Sequence, residues 1–155
     1  MSSSLKKSSS KKLLLKNSGS IKIGIAVSEW HPEVTEELYE GAVRFLVKHG
    51  IKKENIIRKN SPGSFELPLT SQFLLKKCNA AICLGCVVKG ETDHYYFISD
   101  SVAKGILDVS LKNNKPVAFG VLTTETLEQA LNRAGGKFGN KGEEAAESVL
   151  KMLSL

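Results

Sequence analysis

Residues 80–94, AAICLGCVVKGETDH, decide the fold of this chain. Residues 80–88 are a short apolar run with β-branched side chains, the pattern of a strand buried on both faces of a parallel sheet. Lys89-Gly90-Glu91-Thr92-Asp93 stop the run, and a helix is expected from His94. A strand that breaks into a Gly-containing turn and feeds a helix aims unpaired backbone N–H groups at one point. Such a point attracts anions, phosphate above all. The imidazole of His94 beside it can move protons near neutral pH. Taken singly these signs are weak, because many helices open with Gly or Thr as a cap and a histidine in a first helical turn is commonly just exposed.

On either side of this stretch, apolar runs alternate with amphipathic ones. Residues 21–27, IKIGIAV, read as a first strand, followed by a helix over 32–49 with Val34, Leu38, Ala42, Phe45 and Leu46 on one face. Pro32 suits its first turn and Gly50 its C-terminal cap. A second strand is expected over 54–60, a tight turn over 61–64, and a helix over 65–77 with Pro68 in its first turn. After the strand at 80–88 and a helix over 94–113, residues 116–122, PVAFGVL, make a fourth strand. Helices over 124–134 and 140–153 follow, joined by a Gly-rich link at 135–139. This alternation predicts an α/β class: a single-domain, three-layer sandwich with a four-stranded parallel sheet and helices on both faces. Ligands of such sheets sit beyond the carboxyl ends of the strands, so the turns at 28–31, 61–66, 89–94 and 123–125 are expected on one edge.

Size and charge narrow the class. A chain of 155 residues fits one domain with a proper core. The net charge of +6 suggests nucleic acid until it is located: Lys6, Lys7, Lys11, Lys12 and Lys16 carry five of the six charges in residues 1–20, where no acid offsets them. The rest is nearly neutral and lacks the basic face of a nucleic-acid binder. Residues 1–20 read as a disordered basic tail and 21–155 as the folded domain. Leu13-Leu14-Leu15 is too short for a signal-peptide core or a membrane span, and the lack of arginine argues against a transit peptide. A cytoplasmic protein without membrane attachment is expected. Cys78, Cys83 and Cys86 are odd in number. Cys83 and Cys86 spell C-x-x-C, yet on a strand residues three apart point to opposite faces roughly 10 Å apart, so they read as small buried hydrophobes with no metal between them.

Several residues have two readings each. Trp30, the only tryptophan, follows the first strand as either a core plug or a stacking platform for a planar heterocycle. Phe65 and Phe119 share that ambiguity. The Glu66 carboxylate could accept hydrogen bonds from a polyol or amine. Arg133 either complements a helix C-terminus or grips phosphate bidentately. Lys141 opposes the dipole at its helix N-terminus, with Glu143 and Glu144 as compensation. His31 and His49 read as structural, and Tyr95 and Tyr96 have no assignment.

Five segments in register resemble the 6,7-dimethyl-8-ribityllumazine synthase family. They are Ser28-Glu29-Trp30, Pro62-Gly63-Ser64-Phe65-Glu66, residues 85–94, Gly120-Val121-Leu122-Thr123, and residues 128–142. The resemblance covers roughly 21–155 and implies a flavodoxin-like fold. It also implies a condensation of 5-amino-6-(D-ribitylamino)uracil with 3,4-dihydroxy-2-butanone 4-phosphate, without metal or organic cofactor. Trp30 would then stack on the pyrimidine, and Ser64, Phe65 and Glu66 would border the ribityl chain. Val88 and Lys89 would offer backbone contacts, while Gly90, Glu91, Thr92 and Arg133 would hold the phosphate. His94 would be the catalytic acid–base residue. Phe119 would reach in from a neighbouring subunit, and Lys141 and Glu144 would set the local charge. Family members form homo-oligomers, pentamers whose sites lie at subunit interfaces and which can build decamers or sixty-subunit icosahedral shells. The short link from Arg133 to Lys141 favours the shell, and riboflavin synthase is an implied partner. The chain departs from the commoner family pattern in Glu29-Trp30-His31, where Arg-Phe-Asn is frequent. A catalytically silent phosphate- or flavin-binding module, and a structural cage whose basic tail recruits acidic cargo, are the competing readings.

Overall fold

The computed structural model describes residues 15–155. Ile23–Ser28 (β1), Ile56–Ser61 (β2), Ala80–Val88 (β3) and Val117–Thr124 (β4) form one sheet in the order β2-β1-β3-β4, every pair parallel. The helices are Pro32–Lys48 (α1), Leu67–Leu74 (α2), His94–Asn113 (α3), Leu127–Asn132 (α4) and Lys141–Leu153 (α5). Burial of β3 on both faces follows from its composition: Ile82, Leu84 and Cys86 pack with α1 and α5, whereas Cys83 packs with Leu67, Leu74, Val102 and Ile106 of α2 and α3. The two cysteines thus belong to opposite layers, and both are free. Burial pushes each thiol up to about 12, with the Glu33 carboxylate adding to the effect at Cys86.

The differences from expectation have local causes. The expected second strand begins instead with a 3-10 turn, Lys53–Asn55, and the expected helix over 65–77 splits into a 3-10 turn, Ser64–Glu66, and the short α2. The helix expected over 124–134 is shorter because β4 runs on to Thr124 and a capping box between Thr126 and Gln129 fixes the start of α4. The Gly-rich link is a small antiparallel hairpin, Ala134–Gly136 (β5) with Gly139–Asn140 (β6). Gly135 and Gly139 supply its left-handed conformations, at φ 96° and 85°.

Asn140 then joins the hairpin to both neighbouring helices. Its Oδ1 accepts the N–H groups of Gly142 (2.8 Å) and Glu143 (3.2 Å), capping α5, and its Nδ2 donates to the Glu37 carbonyl of α1 at 2.9 Å. Close approach of α1 and α5 requires Gly142, since a Cβ there would run into the Leu38 carbonyl. At the N-terminus, Leu15 packs against the α1/α5 layer, and Asn55 Nδ2 holds the Gly19 carbonyl at 3.0 Å. Residues 15–20 of the tail expected to be disordered are therefore docked, while the rest of it lies outside the described residues.

Candidate active site

The carboxyl ends of β1, β2 and β3 deliver three turns to one edge of the sheet, and a cleft of about 450 Å³ opens between them. The first turn begins where Glu29 N–H donates to the Ser61 carbonyl at 2.9 Å and Trp30 N–H to Ser28 Oγ at 3.3 Å. Trp30 then stands on the cleft with 67% of its surface exposed, and Phe65, from the second turn, with 59%. Two large aromatic faces left in water gain by burial against a planar ligand.

Bare backbone seats the second turn. A Cβ on Gly85 of β3 would lie 2.7 Å from Ser64 Oγ and 3.0 Å from Leu67 Cδ1. A Cβ on Gly63 would lie 3.2 Å from both Glu66 Oε2 and Trp30 Cδ1, so the carboxylate and the indole flank the same glycine. Ser64 Oγ is buried and, among the described residues, finds no hydrogen-bond partner.

The third turn leaves backbone donors free. Lys89 N–H donates to the Thr124 carbonyl at 2.9 Å, which holds the chain to β4 one step beyond β3. Among the described residues, the N–H groups of Gly90, Glu91 and Thr92 then find no protein acceptor. A Cβ on Gly90 would meet nothing within 4 Å, so its side of the turn is open. Thr92 Oγ1 accepts His94 N–H at 3.3 Å, and the exposed His94 lines the cleft where α3 begins. The Tyr96 hydroxyl holds the Lys89 ammonium above the usual lysine range.

A family model described as 6,7-dimethyl-8-ribityllumazine synthase matches residues 20–155. The chain belongs to this lumazine synthase family. A relative from Cytophaga hutchinsonii bearing that name is 58% identical over 156 residues, 99% of this chain and 98% of the relative. One from Parabacteroides distasonis is 48% identical over 134 residues, 85% of this chain and 84% of its own. Another, from Porphyromonas gingivalis, is 48% identical over 137 residues, 87% and 85% respectively.

Of the residues that the lumazine synthase resemblance singles out, one chain brings Trp30, Ser64, Phe65, Glu66, Val88 and His94 to the cleft. Lys89, Gly90, Glu91 and Thr92 form the chain segment between its Val88 and His94 walls. Phe119, Arg133, Lys141 and Glu144 do not line it. Phe119 lies within β4, opposite Cys83, and is part-exposed. The Arg133 guanidinium sits over the Phe138 ring at 5.1 Å, beside Lys137 at 5.6 Å, and Lys141 Nζ pairs with Glu144 Oε2 at 3.2 Å. The cleft also includes His31, Cys86, Val87 and Ile98. Reading His31 as purely structural missed a cleft residue, although its place beside Trp30 on the ligand edge was a visible signal. His49 is structural: its Nδ1 meets the Phe45 carbonyl at 2.8 Å and its ring stacks on Phe45 at 4.0 Å. Among the described residues no cluster of three His, Cys, Asp or Glu could hold a metal, and no helix is long and apolar enough to cross a membrane.

Proposed function

We propose that this chain condenses 5-amino-6-(D-ribitylamino)uracil with 3,4-dihydroxy-2-butanone 4-phosphate to 6,7-dimethyl-8-ribityllumazine, releasing phosphate and water in the penultimate step of riboflavin biosynthesis. One observation carries the reading: a single cleft joins exposed aromatic faces to a turn of unpartnered N–H groups with an imidazole at its rim. Trp30 stacks on the pyrimidine, and Ser64, Phe65 and Glu66 border the ribityl chain. Val88 and the Lys89 carbonyl face the heterocycle, the Lys89 N–H being held by Thr124. Gly90, Glu91 and Thr92 receive the phosphate through N–H groups, with the Glu91 carboxylate turned away. His94 moves protons in imine formation and phosphate loss. Holding two small substrates together supplies much of the remaining acceleration.

Residues absent from the cleft of one chain motivate the assembly. Phe119 and Arg133, with Lys141 and Glu144, complete the cleft of a neighbouring copy in a pentamer, Arg133 as the cation of the phosphate. Exposed Leu69, Phe73, Phe97, Leu107 and Leu111 on α2 and α3 supply apolar surface for such contacts. The short Arg133–Lys141 hairpin favours a sixty-subunit shell, and sedimentation that finds only pentamers overturns that size. Residues 21–155 are the catalytic domain of a cytoplasmic enzyme, residues 1–20 a basic appendage, and riboflavin synthase the partner that uses the product.

The test is the appearance of the lumazine chromophore when the purified full chain meets both substrates without added metal. Acceleration over the uncatalysed reaction is the expected result. Bound ligands without acceleration would move the assignment to a binding module or a cage.

A further inference from the structure

Of the two histidines on the cleft, the mechanism above leaves His31 idle. It lies in the left-handed region at φ 55° and ψ 60°, which few residues besides Gly, Asn, Asp and His adopt. The turn uses its backbone but not its ring. As N-cap of α1, His31 offers its carbonyl to the N–H groups of Val34 (2.9 Å) and Thr35 (3.0 Å), and its side chain makes no capping bond. The residue lines the cleft, and its Nδ1 lies 3.7 Å from Glu33 Oε1. The Glu33 carboxylate also contributes, after burial, to raising the thiol of Cys86 on the cleft wall, so its charge reaches the cleft. The carboxylate thus faces Nδ1 and leaves Nε2 for other partners. The other titratable groups on the cleft are Glu66, Cys86 and His94.

The geometry points to His31, aimed by Glu33, as a second proton-transfer residue of the proposed condensation, sharing imine formation with His94, which alone serves phosphate loss. The inference rests on the reaction proposed above. The backbone N–H of His94 is bound to the phosphate turn through Thr92 Oγ1, whereas the His31 ring lies 6.3 Å from the ring of Trp30, the residue that the reading above gives to the pyrimidine. The steps fall at two ends of the bound pair, and a second imidazole from a different turn relieves His94 at the imine end. Attack of the pyrimidine's 5-amino group on the ketone carbonyl gives a carbinolamine. Its hydroxyl takes a proton from protonated His31 Nε2, the C–O bond breaks and water leaves. The nitrogen lone pair then forms the C=N bond, and the N–H proton returns to Nε2.

Asparagine accepts the left-handed conformation, so His31→Asn removes the imidazole without remaking the turn. It should lower kcat on the order of 10-fold to 100-fold, near the lower end of general acid–base contributions because His94 and water still act. KM for both substrates should stay within about twofold, and free imidazole should restore part of the loss, which a structural defect would not allow. His31→Asn/His94→Ala should fall at least about tenfold below His94→Ala alone. Should His31→Asn fail to fold, Glu33→Gln serves, with a smaller kcat loss and unchanged KM. Wild-type kcat in the folded variant, a loss confined to KM, or no response to imidazole overturns the role of His31. An inactive wild type would instead sink the condensation itself.

Discussion

Gly85→Ala tests how the second turn of the cleft is held. The added methyl would lie 2.7 Å from Ser64 Oγ, 3.0 Å from Leu67 Cδ1 and 3.5 Å from Val121 Cγ1. Unstrained contacts begin near 3.5 Å, so Ser64 and Leu67 must each retreat by roughly 0.5–1 Å. Overpacking of this size costs about 1–3 kcal/mol. Ser64 opens the turn that carries Phe65 and Glu66, so the shift passes to both cleft residues. A displacement near 1 Å can cost about 100-fold in rate, so kcat/KM should fall further than stability alone accounts for. Ser64→Ala removes the closest contacted atom together with a buried hydroxyl that has no partner among the described residues, and should change stability by under about 1 kcal/mol. Ser64→Ala/Gly85→Ala should recover roughly half the stability loss, because the Leu67 contact remains. Urea midpoints and steady-state rates for the four proteins of this cycle decide the matter. Gly85→Ala with wild-type midpoint and rate, or a double variant no better than Gly85→Ala, would refute a turn seated on the bare backbone of β3.

His94→Ala should lower turnover by roughly 10²–10⁴-fold while largely sparing ligand affinity, and an unchanged rate would remove it from the reaction. Asn140→Ala should destabilise by about 1–2 kcal/mol, losing the α5 cap and the tie to the Glu37 carbonyl of α1; a denaturation midpoint equal to wild type would contradict the clamp. Burial raises the Cys83 and Cys86 thiols from 9.0 to about 12, so above pH 9 the folded state holds protons that the unfolded chain releases. Their contribution to stability should therefore fade from about pH 9 towards 12, and Cys83→Ala/Cys86→Ala should show a shallower alkaline decline in melting temperature. An identical decline in both proteins would refute that linkage.

The sheet was legible because parallel strands buried on two faces leave unbroken apolar runs, as in 80–88, and Gly or polar turns punctuate them. The opposite-face reading of Cys83 and Cys86 followed from the two-residue period of a strand. The β5–β6 hairpin was not legible: strands of three and two residues carry no alternating pattern, and its glycines advertise only a turn. The shortness of α2 and α4 depends on a neighbouring 3-10 turn and on how far β4 extends, which periodicity does not encode. At the cleft, the three turns followed from topology. The packing that makes Gly63 and Gly85 seats for the second turn exists only once β3 and that turn are in contact. The αL backbone that leaves the His31 ring free of capping likewise has no signature in a lone histidine before proline.

The place of β1 in the sheet bears on how the chain is made. It is among the first segments of the domain to leave the ribosome, yet it lies inside the sheet, with β2 on one flank and β3 on the other. Its second flank stays open until roughly sixty further residues have been added, an interval of several seconds at about 5–20 residues per second. Throughout that interval the apolar IGIAVS strand is an unpaired edge, open to the wrong strand of a neighbouring nascent chain. Slower decoding of residues 29–79 lengthens the exposure, and a chaperone that covers one strand edge is enough to end it.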